Sequence, residues 1–213
     1  MQYENWILNS LSLSGVPGEL RGLEYLHNKY GTLPWSVVVQ PAVRTARDGF
    51  PVGADIVHYM DSATSDDDVG NFLVNDPSWA IDFAPNGTRV QLGDTLTRKR
   101  YADTLEKIGS EGPGAFYEGP IAEATIRALQ KANGTMTLED LRGYKAVVRN
   151  ISQIDYRGYR VTSTTTPSSG TVALNMLKVL DTYGPLFGPD NVNLSTHRMD
   201  EAMRFGYGLV CAV

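Results

Sequence analysis

The chain has 213 residues, 42% of them hydrophobic and 20% charged, enough apolar material for a sizeable core and too much for a disordered polypeptide. Nineteen basic residues against 24 acidic ones give a formal net charge of −5, so no basic stripe marks a nucleic-acid partner. No apolar run reaches the roughly 18 residues of a membrane span, and one cysteine, Cys211, permits neither an internal disulfide nor a cysteine metal cluster.

Met1 to Ser14, MQYENWILNSLSLS, has an early acid and no basic head, and does not read as a secretory leader. Pro17-Gly18-Glu19 opens a helix with Leu20, Leu23, Leu26 and Tyr30 near one face, and Gly31 ends it. Trp35 to Val39 reads as a short helical piece. Because proline damages a helix interior and suits a first turn, Pro41 is expected to start a separate helix, 42–48. The acidic run Asp61 to Asp68, DSATSDDD, lacks the glycine and distal glutamate of an EF-hand and reads as a solvated helix end or loop. Helical character is expected to extend over 71–84, before a turn at Pro85-Asn86-Gly87.

Tyr101, Leu105 and Ile108 step by four and three, predicting a helix over 96–109. A second runs over 121–132, with Ile121, Thr125, Ala128 and Leu129 inward and Asn133-Gly134 as its left-handed terminator. Thr137-x-x-Asp140 is a capping start. Strands are expected only after Tyr144: one through Val147-Val148, one through Tyr159, Val161 and Ser163, with Arg157-Gly158 at the bend. Val172, Met176, Val179 and Tyr183, widened by Ala173, Leu177 and Leu180, mark a broadly apolar helix, and Ser195 is placed as the cap of a last one. The fold class is α+β and helix-rich: one domain over 1–213, its helical part about 15–143 and its strand–loop–helix part about 144–208.

Chemistry is sparse. His27, His58 and His197 form no zinc spacing, and there is no Gly-x-Ser-x-Gly elbow, Walker loop or dinucleotide fingerprint. No metal or organic cofactor is predicted. The most suggestive stretch is TTTPSSG, 164–170, a hydroxyl-rich loop leading from a strand to a helix. Ser168, Ser169 and Gly170 read either as an anion site at the helix N-terminus or as a capping turn whose serines satisfy the same donors, the favoured reading. No base for a serine nucleophile is signalled. Four sequons, at Asn86, Asn133, Asn150 and Asn193, are candidate N-glycosylation sites and tilt the balance toward an exported protein.

Several stretches, in order, resemble one family, the gamma-glutamyltransferases or glutathione hydrolases. They are GVPGELRGLEYLHNKYGTLPW from Gly15, QPAVRTARDGFPV from Gln40, GDTLTRKRYADTLEKI from Gly93, GPGAFYEGPIAEA from Gly112, TLEDLRGYKAVVR from Thr137, DYRGYRV from Asp155, PSSG from Pro167 and HRMDEAMRFGYG from His197. The resemblance spans about Ser14 to Gly208. It implies an N-terminal-nucleophile hydrolase whose precursor cuts itself to free a threonine, which uses its own α-amine as base. The gamma-glutamyl group of glutathione passes to that threonine and then to water, an amino acid or a peptide. This chain resembles the middle of the large subunit, which implies that its one domain is partial, an αββα sandwich without the small-subunit strands, with both ends expected to be edges of a fragment. The substrate-gripping arginine and the threonine are implied to lie outside it, so the catalytic assignment within this chain is none, and the implied partner is the small catalytic subunit. Together with the sequons, the resemblance implies the secretory pathway: extracellular, cell-surface or vacuolar. The alternatives are a related amide acylase on the same scaffold and a non-catalytic truncated paralogue that serves as an interaction partner.

Overall fold

The structure, a computed structural model, describes residues 15–65 and 70–210. The chain divides into two compact units, residues 1–146 and 147–213.

In the first unit, α1 (Glu19–Tyr30) ends at Gly31, whose N–H bonds the His27 carbonyl at 2.7 Å. α2 is one continuous helix, Trp35–Asp48, with Pro41 inside it, where two helices were expected. Pro41 and Val37, whose carbonyl loses its partner to the proline ring, both lie on the exposed face, so water can serve that carbonyl. The opposite face buries Val43 and Ala46 against α6 (Lys99–Glu111), which contributes Ala102, Ile108 and Gly109. Trp35 Nε1 donates to the Ile108 carbonyl at 2.9 Å. α6 starts three residues later than its periodicity predicts because Thr95–Leu96 forms a strand, β2, paired antiparallel with β1 (Phe50–Pro51). Gly49 makes that pairing possible: its φ is +93°, and a Cβ there would meet Thr95 Cγ2 at 2.6 Å and the Leu96 carbonyl at 3.0 Å.

Around this ribbon, Val52, Met60, Leu73, Val90 and Leu96 form a core under α3 (Ala54–Ala63), α4 (Phe72–Asn75) and α5 (Pro77–Phe83). The start of the acidic run is the end of α3; Asp66 to Asp68 lie outside the described residues. A second core joins Tyr117, Ala122, Ile126, Met136 and Leu141 from α7 (Gly114–Tyr117), α8 (Pro120–Lys131) and α9 (Leu138–Gly143). On α8 the inward residues are Ala122 and Ile126, with Thr125 and Leu129 half-buried, while Ala128 is exposed. The small Ala122 sets the packing phase, a contribution that side-chain size alone does not reveal. α8 ends as the sequence predicts, with Asn133 at φ 63° and the N–H groups of Asn133 and Gly134 bonding the Gln130 and Leu129 carbonyls. Thr137 and Asp140 form the predicted reciprocal cap of α9.

In the second unit, β3 (Ile151–Tyr156) and β4 (Tyr159–Thr164) form a hairpin about Arg157 and Gly158, both at positive φ. Val147 and Val148, expected in a strand, precede it as irregular chain, each 66% exposed. Ser152, Ile154, Tyr156, Val161 and Ser163 share the half-buried face, and α10 (Gly170–Asp181) packs on the hairpin. Leu174, not the expected Ala173, is the buried residue of its first turns. Lys178 Nζ reaches the Asp155 carbonyl at 3.1 Å, and Asp181 accepts from Arg157 N–H at 3.2 Å. α11 (Val192–Val210) crosses α10, with Ala202 and Gly206 buried. Ser195 does not cap it. The helix begins three residues earlier, and Ser195, wholly buried, accepts from Phe187 N–H at 2.9 Å and donates to Asn191 Oδ1 at 3.3 Å. It ties down the preceding loop.

Candidate functional site

The hydroxyl-rich loop between β4 and α10 is built tightly at one end and openly at the other. Gly170 lies so close to β4 that a Cβ would run into the Thr164 carbonyl and Ser163 Oγ, so only glycine lets the helix start there. The Thr166–Pro167 peptide is cis, and Ser168 N–H bonds the Thr165 carbonyl at 3.1 Å. Thr165 Oγ1 donates to the Asn150 carbonyl at 3.0 Å.

Ser169 occupies the N-cap position, but its side chain makes no capping hydrogen bond; only its backbone carbonyl accepts, from Ala173. The favoured capping role of the serines is therefore absent. Its φ of −80° and ψ of 12° depart from the extended backbone that lets a cap oxygen reach the first-turn amides. Ser168 and Ser169 stand exposed beside a helix start, an arrangement able to donate to an anionic group.

The histidines are elsewhere engaged or exposed. His27 packs edge-on against Trp35 and its Nε2–H donates to the Leu33 carbonyl at 2.8 Å. His58 meets Tyr59, and His197 is exposed on α11. Among the described residues no group of three or more His, Cys, Asp or Glu side chains could hold a metal ion.

In the first unit, a cleft sets Asp82 between Arg98 and Arg100, at 3.7 and 3.8 Å, a local ion-pair cluster. An open groove of about 570 Å³ between α1, α2 and α6 is lined almost wholly by apolar side chains, among them Leu23, Leu26, Val38 and Leu105; Leu23 and Leu26 are 45% and 52% exposed. Such a surface suits packing, since it holds no convergent polar groups.

Of the sequons, Asn86 lies in the exposed Pro85–Thr88 turn and Asn133 at the exposed end of α8. Asn150 is exposed just before β3, and Asn193 is exposed within the first turn of α11.

Two features went unread in the sequence: the close approach at Gly170 and the role of Tyr117. The Tyr117 hydroxyl donates to the Pro17 carbonyl at 2.7 Å and accepts from Arg21 N–H at 3.3 Å. Both features depend on contacts distant in sequence or on backbone packing, and no local signal carries them.

This helix-rich α+β architecture is that of part of an N-terminal-nucleophile hydrolase. The Gamma-glutamyltranspeptidase family model matches residues 3–209, and the chain belongs to that family. The match starts at residue 3, well before Ser14, where the resemblance was expected to begin. A glutathione hydrolase of Aspergillus flavus is 62% identical over 196 residues, covering 92% of this chain and 33% of the relative. A glutathione hydrolase proenzyme of Arthroderma benhamiae is 58% identical over 195 residues, with the same coverages. The solved gamma-glutamyltranspeptidase of Helicobacter pylori superposes with a TM-score of 0.79 at 30% identity, over 92% of this chain and 57% of that one. The chain thus spans about a third of the length of the curated relatives it matches.

Proposed function

We propose that these residues are a large-subunit segment of a secretory-pathway gamma-glutamyltransferase that moves the gamma-glutamyl group of glutathione to water or to an acceptor amine. The 62% identity to a glutathione hydrolase over 92% of the chain carries this reading. The nucleophile is a threonine of the small subunit, whose α-amine takes the hydroxyl proton as the oxygen attacks the gamma-glutamyl carbonyl. The amine of cysteinylglycine leaves with a proton, and water or an acceptor amine then releases the glutamyl group.

In this scheme the chain described here is scaffold, one partial domain of the αββα sandwich. The apolar groove and the edges of the β3–β4 sheet, which is two-stranded among the described residues, support that role, because both are surfaces a folded enzyme covers. Among the described residues, the exposed loop at Ser168, Ser169 and Gly170 is the candidate for meeting a substrate carboxylate. The reaction needs no metal or organic cofactor.

The test is hydrolysis of a gamma-glutamyl anilide. These 213 residues alone are expected to show no turnover. A precursor in which they replace the corresponding third of the Aspergillus flavus enzyme is expected to cleave itself and turn the substrate over. Turnover by the isolated chain, or a folded and cleaved chimera without activity, overturns the proposal.

A further inference from the structure

The geometry points to selective N-glycosylation at Asn86 and Asn133, with Asn150 and Asn193 left bare or sparsely occupied. The inference rests on the secretory-pathway reading above and goes beyond it, since sequence presents the four sequons as equivalent.

The modification joins the asparagine Nδ2 to the anomeric carbon of an oligosaccharide carried on a polyprenyl diphosphate. The N–C bond forms as the C–O bond to phosphate breaks; the lipid diphosphate leaves and the amide nitrogen gives up one proton. The transferase must hold the asparagine and the hydroxyl two residues on together, so the tripeptide has to be free to bend into its site.

Asn86-Gly87-Thr88 satisfies this in the folded protein. All three residues are exposed in the turn, and Gly87 has φ +79° with nothing near its Cβ position. Asn133-Gly134-Thr135 follows the end of α8, where Asn133 and Thr135 are both exposed. The Asn133 and Gly134 N–H groups bond the Gln130 and Leu129 carbonyls, ties within one helix end that can fray without opening a hairpin or a buried hydroxyl. These two sequons stay reachable both before and after folding.

The other two are withdrawn as the chain folds. Ser152 is half-buried in β3, opposite Ser163, and the backbone of Asn150 is held by Thr165 Oγ1. Ser195 is wholly buried, with its hydroxyl bonded to Phe187 N–H and Asn191 Oδ1, and Asn193 is helical. Helices and hairpins form in microseconds once their sequence is free to fold, whereas synthesis adds about 5–20 residues per second. The time available for modifying Asn150 and Asn193 is correspondingly short.

The experiment directs the chain into a eukaryotic secretory pathway behind a cleavable signal and reads each site by enzymatic deglycosylation in heavy-oxygen water and peptide mass spectrometry. Asn86 and Asn133 are expected to be labelled in most molecules and Asn150 and Asn193 in a small minority. Thr88→Ala and Thr135→Ala, which keep both asparagines, are each expected to remove one glycan-sized step of gel mobility. Equal occupancy of all four sites, or bare Asn86 and Asn133 in the led chain, overturns the inference. Label at Asn86 and Asn133 in the led chain but none in protein from its native cells supports the site selection and instead refutes the secretory localisation.

Discussion

The Tyr117 hydroxyl accepts a hydrogen bond from the backbone N–H of Arg21 at 3.3 Å, across 96 residues of chain. Arg21 is the third residue of α1, so its N–H is one of the donors a helix start leaves open. The N-cap residue Gly18 has no side chain to offer, and a larger residue there would collide with the Tyr144 ring. A distant tyrosine therefore does the work of a local cap. Arg21 also lays its guanidinium 4.4 Å from the Tyr117 ring centre, and Tyr144 stacks beside it. Tyr117→Phe keeps the packing and loses the bonds to both Arg21 N–H and the Pro17 carbonyl. The expected cost is about 1–2 kcal/mol, read as a fall in the thermal midpoint with no change in far-UV circular dichroism.

Tyr117 also sets an alkaline limit. Burial raises its phenol above the usual value of 10.0, outweighing the stabilisation of phenolate by Arg21. A raised folded-state value means that its contribution to stability is complete below the unfolded value and is lost as pH rises through the folded one. Unfolding midpoints are expected to fall above about pH 10 and to fall less in Tyr117→Phe. An identical alkaline loss in both proteins would assign the effect to other groups.

At the start of α9 the sign reverses. The Thr137 hydroxyl donates to Asp140 at 2.7 Å and the Thr137 N–H at 2.8 Å. These bonds, the side-chain one first, hold the Asp140 carboxyl below its usual 3.8. A lowered folded value contributes stability above the unfolded value and loses it as pH falls through the folded one, so the cap is expected to weaken below about pH 4. Carboxyl-carbon NMR titration should place Asp140 below an ordinary aspartate, and Thr137→Val should move it back up. No movement would show that the threonine is not the cause.

Thr137 and Asp140 were legible because a cap is written within four residues. Asn133 and the Arg157-Gly158 turn were legible for a similar reason, since Asn133 and Gly158 are residue types that accept a left-handed backbone, although Arg157 itself is also held at φ 50°. Pro41 was misread because the packing of α2 on α6 overrides a local penalty. Ser195 was misread because its hydroxyl serves the Phe187 N–H, a tertiary partner. The ordered motifs carried the family, and no local pattern carried the state of the loop at Ser168 and Ser169, whose missing cap is a backbone property.

Arg47 forks across α2 and α6 to Asp103 and Glu106, each at 2.9 Å. Both acids are more than half exposed, at 67% and 57%, so solvent screens the pair and burial of Val43, Ala46 and Ala102 dominates the helix contact. Arg47→Gln is expected to cost less than about 1 kcal/mol, and the loss should shrink in about 1 M salt, where the Debye length is about 3 Å. A larger, salt-independent loss would show that the arginine stem packs rather than pairs.

Three glycines of the second unit separate the effects of a single added methyl. At Gly170 the obstacle is the backbone of β4 at Thr164, together with Ser163 Oγ; the hydroxyl can turn aside, but the backbone cannot move without disturbing the hairpin register. At Gly206 it is the side chain of Met176, which has three rotatable bonds and can repack, while alanine recovers up to about 1 kcal/mol of helix propensity. At Gly184 nothing lies within 4 Å and φ is not in the left-handed region, so alanine mainly stiffens the unfolded chain. Gly170→Ala is therefore expected to destabilise by about 1–3 kcal/mol, Gly206→Ala to be near neutral, and Gly184→Ala to be neutral or stabilising by up to about 1 kcal/mol. Denaturant midpoints at constant slope would establish the ranking. If Gly170→Ala proved as benign as Gly184→Ala, the start of α10 would not be locked against β4, and the loop at Ser168 and Ser169 would lose the fixed edge that positions it.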